Sequence, residues 1–450
     1  MNPRKPQFAQ ARRGKPAHAK PSLAQAETTQ LVQIVKPIYG GAFLARMEGK
    51  AVFVPLTLPG EQVRVRISAS KRGYDTADPD EIVAAAPERI APACPHFGAC
   101  GGCHYQHTGY DTQLAFKQSI LRETLERGGV QAPEEIAVIS GDPWHYRNRI
   151  RLAFDSAGNP GYRARQSHNI VPIRECPIAA PLLLKAASAS AEIMRTLNWE
   201  LGQTEISFFC NGDESALLAS AYTVNPEEGR FVKWARALEE RIPALKGAEL
   251  IRQAADGKQM GMAGEWGSLG LTYPASGFDY RVDRGSFFQV NRWLVDSLVD
   301  CVTNGQKGNL AWDLFAGVGL FARKLADSFE RVVAVESASA SKAALEHNLR
   351  GSTGEAVIAE TLPFLRRRRP MEKPDLVVVD PPRTGLGPET TSLLGEVGAP
   401  ALVYVSCDPA TLTRDLRALI GFGYAIQSIT LVDLFPQTFH IETVVRLRRE

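Results

Sequence analysis

The sequence lacks any long hydrophobic run, because none of its apolar stretches approaches the ~20 residues that a membrane-spanning helix needs. It also lacks an apolar segment in its basic beginning, MNPRKPQFAQARRGKPAHAK, so we expect no secretory signal. Charge of one sign is not in large excess, since the formal net charge is only +3. These absences exclude a uniformly basic chain and favour a cytoplasmic protein without membrane contact. A chain of 450 residues predicts about two to four domains.

The sequence has few cysteines, and their number, 7, is odd. An odd count in a reducing compartment argues against a disulfide framework. Three of them crowd into the motif Cys94-x5-Cys100-x2-Cys103, whose glycines allow the turns that bring three thiolates to one centre. Cys176 is the best candidate for a fourth ligand. Four thiolates suit zinc or an iron–sulfur cluster, and the spacing does not choose between them.

The first 28 residues form a basic segment with no acidic residue before Glu27. Such a composition predicts a disordered tail. The tail either does little beyond solubilising the chain or adds salt-dependent affinity for phosphates.

Residues 29–90 contain short β-like runs at 31–35, 51–55 and 63–67, with turn residues between them. Several short strands in about sixty residues predict a small barrel of the oligonucleotide-binding (OB) type. The stretch GGAFLARMEGKAVFVPLTLPGEQVRV resembles a TRAM domain, an RNA-binding barrel. The alternative is a small barrel that serves only for packing.

Residues 91–285 are predicted to form a central domain that carries the cysteine motif. A helix is expected from about Tyr110 to Arg127, and the remainder is predicted to be rich in strands. Arginine alternates with aromatic residues at 144–154, a pattern that could pair with phosphates and stack on bases. An ordinary exposed strand face is an equally good interpretation of the same pattern.

Residues 286–450 are predicted to form the last domain. From Asn309 onward, strand-like runs alternate with helical ones, which predicts an α/β domain with a doubly wound parallel sheet. The first strand leads into Gly317-Val-Gly319-Leu-Phe-Ala322, a nucleotide-binding turn, and Glu336 ends the next strand. That pair of features fits NAD and S-adenosylmethionine alike. Asp313 before the turn and the DPPR sequence that begins at Asp380 favour a methyltransferase.

Cys407 lies where the apolar run LVYV ends and an amphipathic helix is predicted to begin. This edge of an open α/β sheet is where ligands and reacting groups bind. A thiolate at that position could serve as a nucleophile. A small buried core cysteine is the alternative.

Together the motifs resemble the RNA 5-methyluridine (uracil-C5) methyltransferase family of the TrmA/RumA type, from about residue 30 to the C-terminus. The motifs that carry the resemblance are SFFQVN at 286–291, DLFAGVG at 313–319, DPPR at 380–383, SCDPAT at 406–411 and DLFPQTFHIET at 433–443. Two positions depart from the family pattern: Leu320 and Asp408 stand where asparagine is frequent.

The resemblance implies a Rossmann-like class I methyltransferase domain, preceded by the TRAM barrel and the strand-rich central domain. It implies Cys407 as the nucleophile that adds to C6 of uracil and Glu442 as the base that removes the C5 proton. The residues that it implies at S-adenosyl-L-methionine are Gln289, Phe315, Gly317, Glu336 and Asp380. It also implies a structural [4Fe-4S] cluster on Cys94, Cys100, Cys103 and Cys176.

RNA is the expected partner, and the target uridine must be flipped out of its stack. Because it has both a TRAM-like barrel and a cysteine cluster, the chain resembles the 23S rRNA members of the family more than the tRNA members. We expect the enzyme to be a monomer. A cytosine-C5 methyltransferase would carry a second catalytic cysteine near Asp380, and residues 380–387 contain none. A non-catalytic RNA-binding protein that retains the fold is the remaining alternative.

Overall fold

The computed structural model describes residues 29–155, 157–199, 204–254, 256–368 and 371–449. The predicted basic tail, residues 1–28, lies outside these ranges. No helix within them is long and apolar enough to cross a lipid bilayer.

Five strands near the start of the described chain close into a barrel in the order β1–β2–β3–β5–β4. They are β1 (Gln30–Pro37), β2 (Ala42–Met47), β3 (Lys50–Pro55), β4 (Gln62–Ser70) and β5 (Tyr74–Ala84). Alternate side chains point inward, as closure of a barrel requires, and Val32, Ile34 and Phe43 form part of its core. Tyr105, from the segment after the barrel, joins that core with its ring 5.9 Å from Phe43. The predicted small barrel is therefore confirmed.

The segment after the barrel carries three of the cysteines and leads into helix α1 (Tyr110–Arg127), which has the predicted bounds. One face of α1 is buried although two of its members are polar. The buried residues are Gln113, Lys117, Ile120, Leu121 and Leu125. The two polar members of this face bond to the C-terminal domain: Gln113 donates to Gln437, and Lys117 donates to Asp433.

A seven-stranded sheet forms the centre of the chain, in the order β13–β12–β11–β10–β7–β8–β9. Its strands are β7 (Arg149–Phe154), β8 (Pro160–Arg163), β9 (Ile170–Pro172), β10 (Thr204–Cys210), β11 (Leu217–Thr223), β12 (Leu245–Gln253) and β13 (Gln259–Gly267). Helices α2 (Pro181–Thr196) and α3 (Glu228–Arg241) pack on this sheet. A hairpin, β14 (Gly270–Ala275) with β15 (Phe278–Asp283), leads on to the last domain. The central domain is rich in strands, as predicted, and it also contains two helices that the sequence patterns did not reveal.

The alternating arginine and aromatic residues of the central domain are partly internal. Tyr146 is buried, and its hydroxyl donates to the carbonyl of Pro436 at 3.0 Å. Arg149 donates to the carbonyl of Ser286 at 2.9 Å. These two side chains join the central sheet to the C-terminal domain. Neither interpretation of the pattern, a face that binds RNA or an exposed strand face, therefore applies to them.

The C-terminal domain is built on an eight-stranded sheet in the order β18–β17–β16–β19–β20–β22–β21–β6. Its strands are β6 (Ala137–Ile139), β16 (Gly308–Leu314), β17 (Phe329–Glu336), β18 (Gly354–Ile358), β19 (Leu376–Val379), β20 (Ala401–Ser406), β21 (Tyr424–Val432) and β22 (Glu442–Arg449). Strands β16 to β20 are parallel, whereas β22 runs antiparallel to β20 and β21.

Helices cover both faces of this sheet, which is why its central strands are apolar throughout. Leu376 and Val378 of β19 face one core, and Val377 and Val379 face the other. The first core contains α4 (Val295–Thr303), α5 (Leu320–Leu325) and α6 (Lys342–Asn348). The second contains α1, α7 (Thr361–Arg368), α8 (Gly387–Val397) and α9 (Pro409–Gly421). The predicted doubly wound α/β domain is confirmed.

Candidate active site

The carboxyl ends of the parallel strands meet at one edge of the sheet, and the predicted site residues lie there. Phe315 follows β16, Glu336 ends β17, Asp380 follows β19 and Cys407 follows β20. Residues far apart in the chain are therefore brought to one crevice by the topology of the sheet.

The turn after β16 has the backbone of a nucleotide-binding loop. Phe315 and Gly317 both adopt left-handed conformations, with φ of 68° and 56°. The amide of Gly317 donates to the Glu336 carboxylate at 2.8 Å. A Cβ added at Gly317 would meet no atom within 4 Å, so this glycine borders open space that a ligand can approach closely.

A cleft beside this turn is lined by four of the five predicted cofactor residues. These are Gln289, Phe315, Gly317 and Asp380, and the same cleft is also lined by Phe287 and Leu320. Glu336 does not line the cleft and instead fixes the glycine turn through its carboxylate. Phe287 is 62% exposed, and its place in the cleft was not predicted although it lies within the SFFQVN motif.

Asp313 supports the glycine turn from below the sheet edge. Its Oδ2 accepts a hydrogen bond from the amide of Ala322 at 2.9 Å, in the first turn of α5. Gly319, which precedes α5, has no side chain with which to cap that helix, so Asp313 supplies the acceptor. Burial, and to a lesser extent the nearby carboxylates of Asp380 and Glu336, raise the pKa of Asp313 to about 8.

Cys407 is held between β20 and α9. The Asp408 carboxylate caps α9 by accepting from the amides of Ala410 and Thr411 at 3.0 and 2.9 Å. The asparagine that is frequent at position 408 in the family can accept the same two bonds, so this departure leaves the cap intact.

Antiparallel pairing brings Cys407 to Glu442. The last registered pair between β20 and β22 is Ser406 with Thr443, and one further step along both strands reaches Cys407 and Glu442. Glu442 is buried, with 6% of its surface exposed. The predicted nucleophile and the predicted base therefore lie on neighbouring strands, close to Asp380.

Partial or full burial governs the electrostatics of this group, since Glu442 is buried and Asp380 and Cys407 are half-buried. Burial, together with the Glu442 and Asp380 carboxylates, raises the pKa of the Cys407 thiol to about 12. Burial and the charge of Asp380 raise the pKa of Glu442, and burial raises the pKa of Asp380. Burial thus opposes ionisation of all three groups, and each carboxylate that does form is a stronger base than an exposed one.

The guanidinium of Arg383 acts in the opposite direction to burial. Arg383 lowers the pKa values of both Cys407 and Glu442, although by less than burial raises them. Its guanidinium donates to Nδ1 of His440 at 3.0 Å. Burial and that positive charge lower the pKa of His440 to about 3, so the imidazole is neutral and can accept the bond. Neither role was predicted, although both residues lie in recognised motifs.

The four predicted metal-ligating cysteines line one cavity of ≈ 520 Å³. The cavity is also lined by Arg383, Phe439 and His440, so it borders the catalytic edge of the sheet. Among the described residues, no group of three or more His, Cys, Asp or Glu side chains is placed to hold a single metal ion.

The cysteine segment is bonded directly to the loop that precedes Glu442. The amides of His104 and Tyr105 donate to the carbonyl of Gln437 at 2.8 and 3.1 Å. Gln113 of α1 donates to the side chain of Gln437 at 2.9 Å and accepts from its amide at 3.0 Å. Gln437 adopts a left-handed φ of 68°, which these bonds hold in place.

The doubly wound sheet, the glycine turn with its acidic partner and the cysteine beside two carboxyl groups define a class I methyltransferase. Comparison with known sequences identifies its family. The chain belongs to the tRNA (Uracil-5-)-methyltransferase family, whose sequence model matches residues 109–358 and 372–450. A TRAM domain model matches residues 26–79. The chain is therefore a S-adenosylmethionine-dependent RNA uracil-C5 methyltransferase, which confirms the predicted enzyme class, methyl donor and RNA substrate.

Relatives extend over almost the whole chain. A protein of Streptomyces avermitilis described as an RNA methyltransferase is 33% identical and covers 92% of this chain and 97% of its own. A protein of Shewanella halifaxensis described as the 23S rRNA (uracil(1939)-C(5))-methyltransferase RlmD is 31% identical, over 95% and 97% of the two chains.

A solved structure has the same fold. It is the Pyrococcus abyssi tRNA (uracil-54, C5)-methyltransferase in complex with S-adenosyl-L-homocysteine, with a TM-score of 0.73 and 24% identity. The match covers 92% of this chain and all of that one, 100%.

Proposed function

We propose that this enzyme methylates C5 of a uridine in 23S rRNA through a covalent bond between Cys407 and C6 of the base. The observation that carries the proposal is the meeting of Cys407, Glu442 and Asp380 beside the Gly317 turn. A thiol, two carboxyl groups and a nucleotide cleft at one sheet edge are the groups that this reaction requires.

Cys407 begins the reaction because C5 of uracil is a poor nucleophile. Its sulfur forms a bond to C6, and the electrons of the C5=C6 bond move toward C4 and its carbonyl oxygen, which gives an enolate whose C5 is nucleophilic. The thiol carries a proton in the free enzyme, so a base must accept it as the bond forms. We assign that role to Asp380, whose raised pKa makes its carboxylate a stronger base than an exposed one.

S-Adenosylmethionine, when bound, supplies an electrophilic methyl group to C5. Gln289, Phe315, Gly317 and Asp380 border the cleft in which we propose that it binds, and Glu336 holds the Gly317 turn open. The left-handed backbone at Gly317, with no atom where a Cβ would stand, supports this assignment.

Glu442 completes the reaction by removing the proton that remains on C5. The electrons of that C–H bond re-form C5=C6, the C6–sulfur bond breaks, and Asp380 returns its proton to Cys407. The proton on Glu442 is then released to water, so the cycle yields 5-methyluridine, S-adenosylhomocysteine and one proton. Two carboxyl groups beside one thiol, each with a raised pKa, provide for these two separate proton transfers.

The sequence relatives support ribosomal RNA as the target. Relatives that span more than nine-tenths of this chain are described as RlmD, 23S rRNA (uracil(1939)-C(5))-methyltransferases. The solved structure described as a tRNA enzyme is less similar in sequence, at 24% identity.

Nucleoside analysis tests the target. The purified enzyme, methyl-labelled S-adenosylmethionine and unmodified transcripts of 23S rRNA and tRNA are incubated together, and digested nucleosides are identified by mass spectrometry. We expect labelled 5-methyluridine from 23S rRNA alone. Label in tRNA with none in 23S rRNA would contradict the rRNA assignment, and RNA binding without label in either would favour a non-catalytic protein.

We propose that Cys94, Cys100, Cys103 and Cys176 hold a [4Fe-4S] cluster. Their thiols line one cavity, yet they are not gathered around a single point. One zinc ion would need each sulfur about 2.3 Å from the metal, whereas a cluster binds each thiolate at a separate iron. Methyl transfer needs no electron, so the cluster would hold the surrounding loops in place. Iron and acid-labile sulfide in equal amounts, about four of each per chain, are expected after anaerobic purification, and stoichiometric zinc would contradict the proposal.

We further propose that the enzyme acts as a monomer, because the residues assigned to the reaction all come from one chain. Light scattering on the purified enzyme at working concentration is expected to give 49.1 kDa, and a stable dimer would contradict this.

A further inference from the structure

The barrel reaches the catalytic edge of the C-terminal domain through the turn between β1 and β2. Tyr39 lies in this turn, and its hydroxyl donates to the carbonyl oxygen of Cys407 at 3.3 Å. Burial, followed by the charge of Asp408, raises the pKa of Tyr39, so the phenol keeps its proton and remains a donor. A barrel residue therefore contacts the peptide of the candidate nucleophile across 368 positions of sequence.

The ring of Tyr39 contacts the other side of the catalytic site as well. Its centroid lies 5.5 Å from that of Phe439 in an edge-to-face arrangement. Phe439 in turn lies 4.3 Å from the ring of His440 and 4.7 Å from that of His104. The barrel, the cysteine segment and the loop before Glu442 thus meet in one aromatic cluster.

The barrel is fixed in this position by further contacts. A Cβ added to Gly41, next to the same turn, would lie 2.5 Å from Cδ2 of His104, so the two segments are in close contact. Lys36 at the end of β1 pairs with Glu123 of α1 at 2.6 Å. The turn cannot move away from Cys407 without disturbing these contacts.

We propose that the barrel completes the catalytic site and that Tyr39 is a positioning residue, which fixes the Cys407 loop for attack on C6. The hydrogen bond restrains the peptide of Cys407, and the contact with Phe439 restrains the loop that carries His440 and leads to Glu442. A single side chain of the barrel thereby restrains the positions of both the nucleophile and the base. This inference rests on the proposed role of Cys407 as nucleophile.

Tyr39→Phe is the sharpest test because it removes the hydroxyl and keeps the ring against Phe439. The measurement is the single-turnover rate of covalent complex formation with a 5-fluorouridine-substituted 23S rRNA fragment, at saturating RNA. We expect the rate to fall about 2- to 10-fold, the effect of one neutral hydrogen bond, with the RNA dissociation constant unchanged. Tyr39→Leu, which also removes the ring contact, should lower the rate further.

Tyr74→Phe is the matched control, because the ring of Tyr74 packs against Phe53 within the barrel itself. It should react at the wild-type rate. Equal rates for Tyr39→Phe and wild type would overturn the inference, as would a loss that appears only as weaker RNA binding. Failure of the wild-type enzyme to form any complex would instead overturn the proposed role of Cys407, so the two failures are distinguishable.

Discussion

Two carboxyl groups, Asp380 and Glu442, lie near one thiol; Glu442 is buried, whereas Asp380 and Cys407 are half-buried. Ionising any of the three leaves a charge with little solvation, and ionising two of them adds repulsion between like charges. Arg383 offsets only part of this cost. The arrangement opposes ionisation, so the carboxylates that do form are strong bases, which suits proton transfers that accompany bond formation.

Replacement of Glu442 by glutamine separates the two halves of the reaction. The amide fits the same space but cannot take the C5 proton, so the methylated adduct should form and then persist. We expect turnover to fall about 10²- to 10⁴-fold, with unsubstituted RNA now remaining bound to the protein on a denaturing gel. The methyl label should travel with that complex. Rapid release of methylated RNA by Glu442→Gln would show that another group is the base.

Asp313 predicts a measurable pH dependence of stability. Its pKa is about 8 in the folded chain against an ordinary value of 3.8, because burial disfavours the carboxylate. A raised pKa of this kind contributes stability that is fully present below about pH 4 and is lost as the pH rises through 8. Urea midpoints of the wild type should therefore fall more between pH 6 and pH 9 than those of Asp313→Asn. Parallel pH profiles for the two proteins would contradict this cause.

Helix α1 holds the loop before Glu442 by a buried ion pair. Lys117 donates to Asp433 Oδ1 at 2.5 Å and to the carbonyl of Phe435 at 2.9 Å, and the Tyr110 hydroxyl donates to Asp433 Oδ2 at 2.8 Å. Both charged side chains are buried, at 0% and 1% exposure. Loss of one partner would leave the other charge buried and unpaired.

Lys117→Met should lower the free energy of unfolding by about 3–5 kcal/mol, as measured by urea denaturation. The double variant Lys117→Met, Asp433→Asn should regain part of that loss because no unpaired charge remains. Lys36→Met is the matched control: its pair with Glu123 is partly exposed, so a change below about 1 kcal/mol is expected. Similar losses for the two lysine variants would contradict the account of burial.

Local sequence patterns were sufficient to predict several helices and strands of the fold. The apolar periodicity gave the bounds of α1, and the run before Cys407 predicted β20 with α9 after it. The strand ends then placed Phe315, Glu336, Asp380 and Cys407 at one edge. Helices α2 and α3 of the central domain were missed.

Contacts between distant segments were beyond these patterns. Tyr39 and Lys117 have no local feature that indicates their partners, 368 and 316 positions away. The inward position of Tyr146 was missed for the same reason, since its partner Pro436 belongs to another domain. Such contacts depend on how the domains pack against each other, and a short stretch of sequence carries no information about that packing.

At the scale of the whole molecule, the segment that carries Cys94, Cys100 and Cys103 is hydrogen-bonded to the loop before Glu442. The amides of His104 and Tyr105 hold the carbonyl of Gln437, five residues before Glu442. The cysteine cavity is also bordered by Arg383 and His440 of the catalytic domain. Disturbance of the cysteine segment should therefore reach the reaction centre, although the proposed mechanism uses no cysteine of that segment.

Cys103→Ser should lose bound iron and also slow the single-turnover rate at saturating RNA, because the backbone next to position 103 holds Gln437. Iron content and rate are measured on the same preparation. Cys210→Ser, in the core of the central sheet, is the control, and it should retain its iron. A Cys103→Ser protein that lacks iron yet reacts at the wild-type rate would contradict this coupling.

The most direct test of the mechanism uses RNA in which the target uridine carries fluorine at C5. Fluorine cannot leave as a proton does, so the adduct between sulfur and C6 should survive denaturation. Wild type and Cys301→Ala, a change at a cysteine of α4, should both form the complex, and Cys407→Ala should form none. A stable complex with Cys407→Ala, or none with a wild-type enzyme that methylates uridine, would contradict covalent catalysis by Cys407.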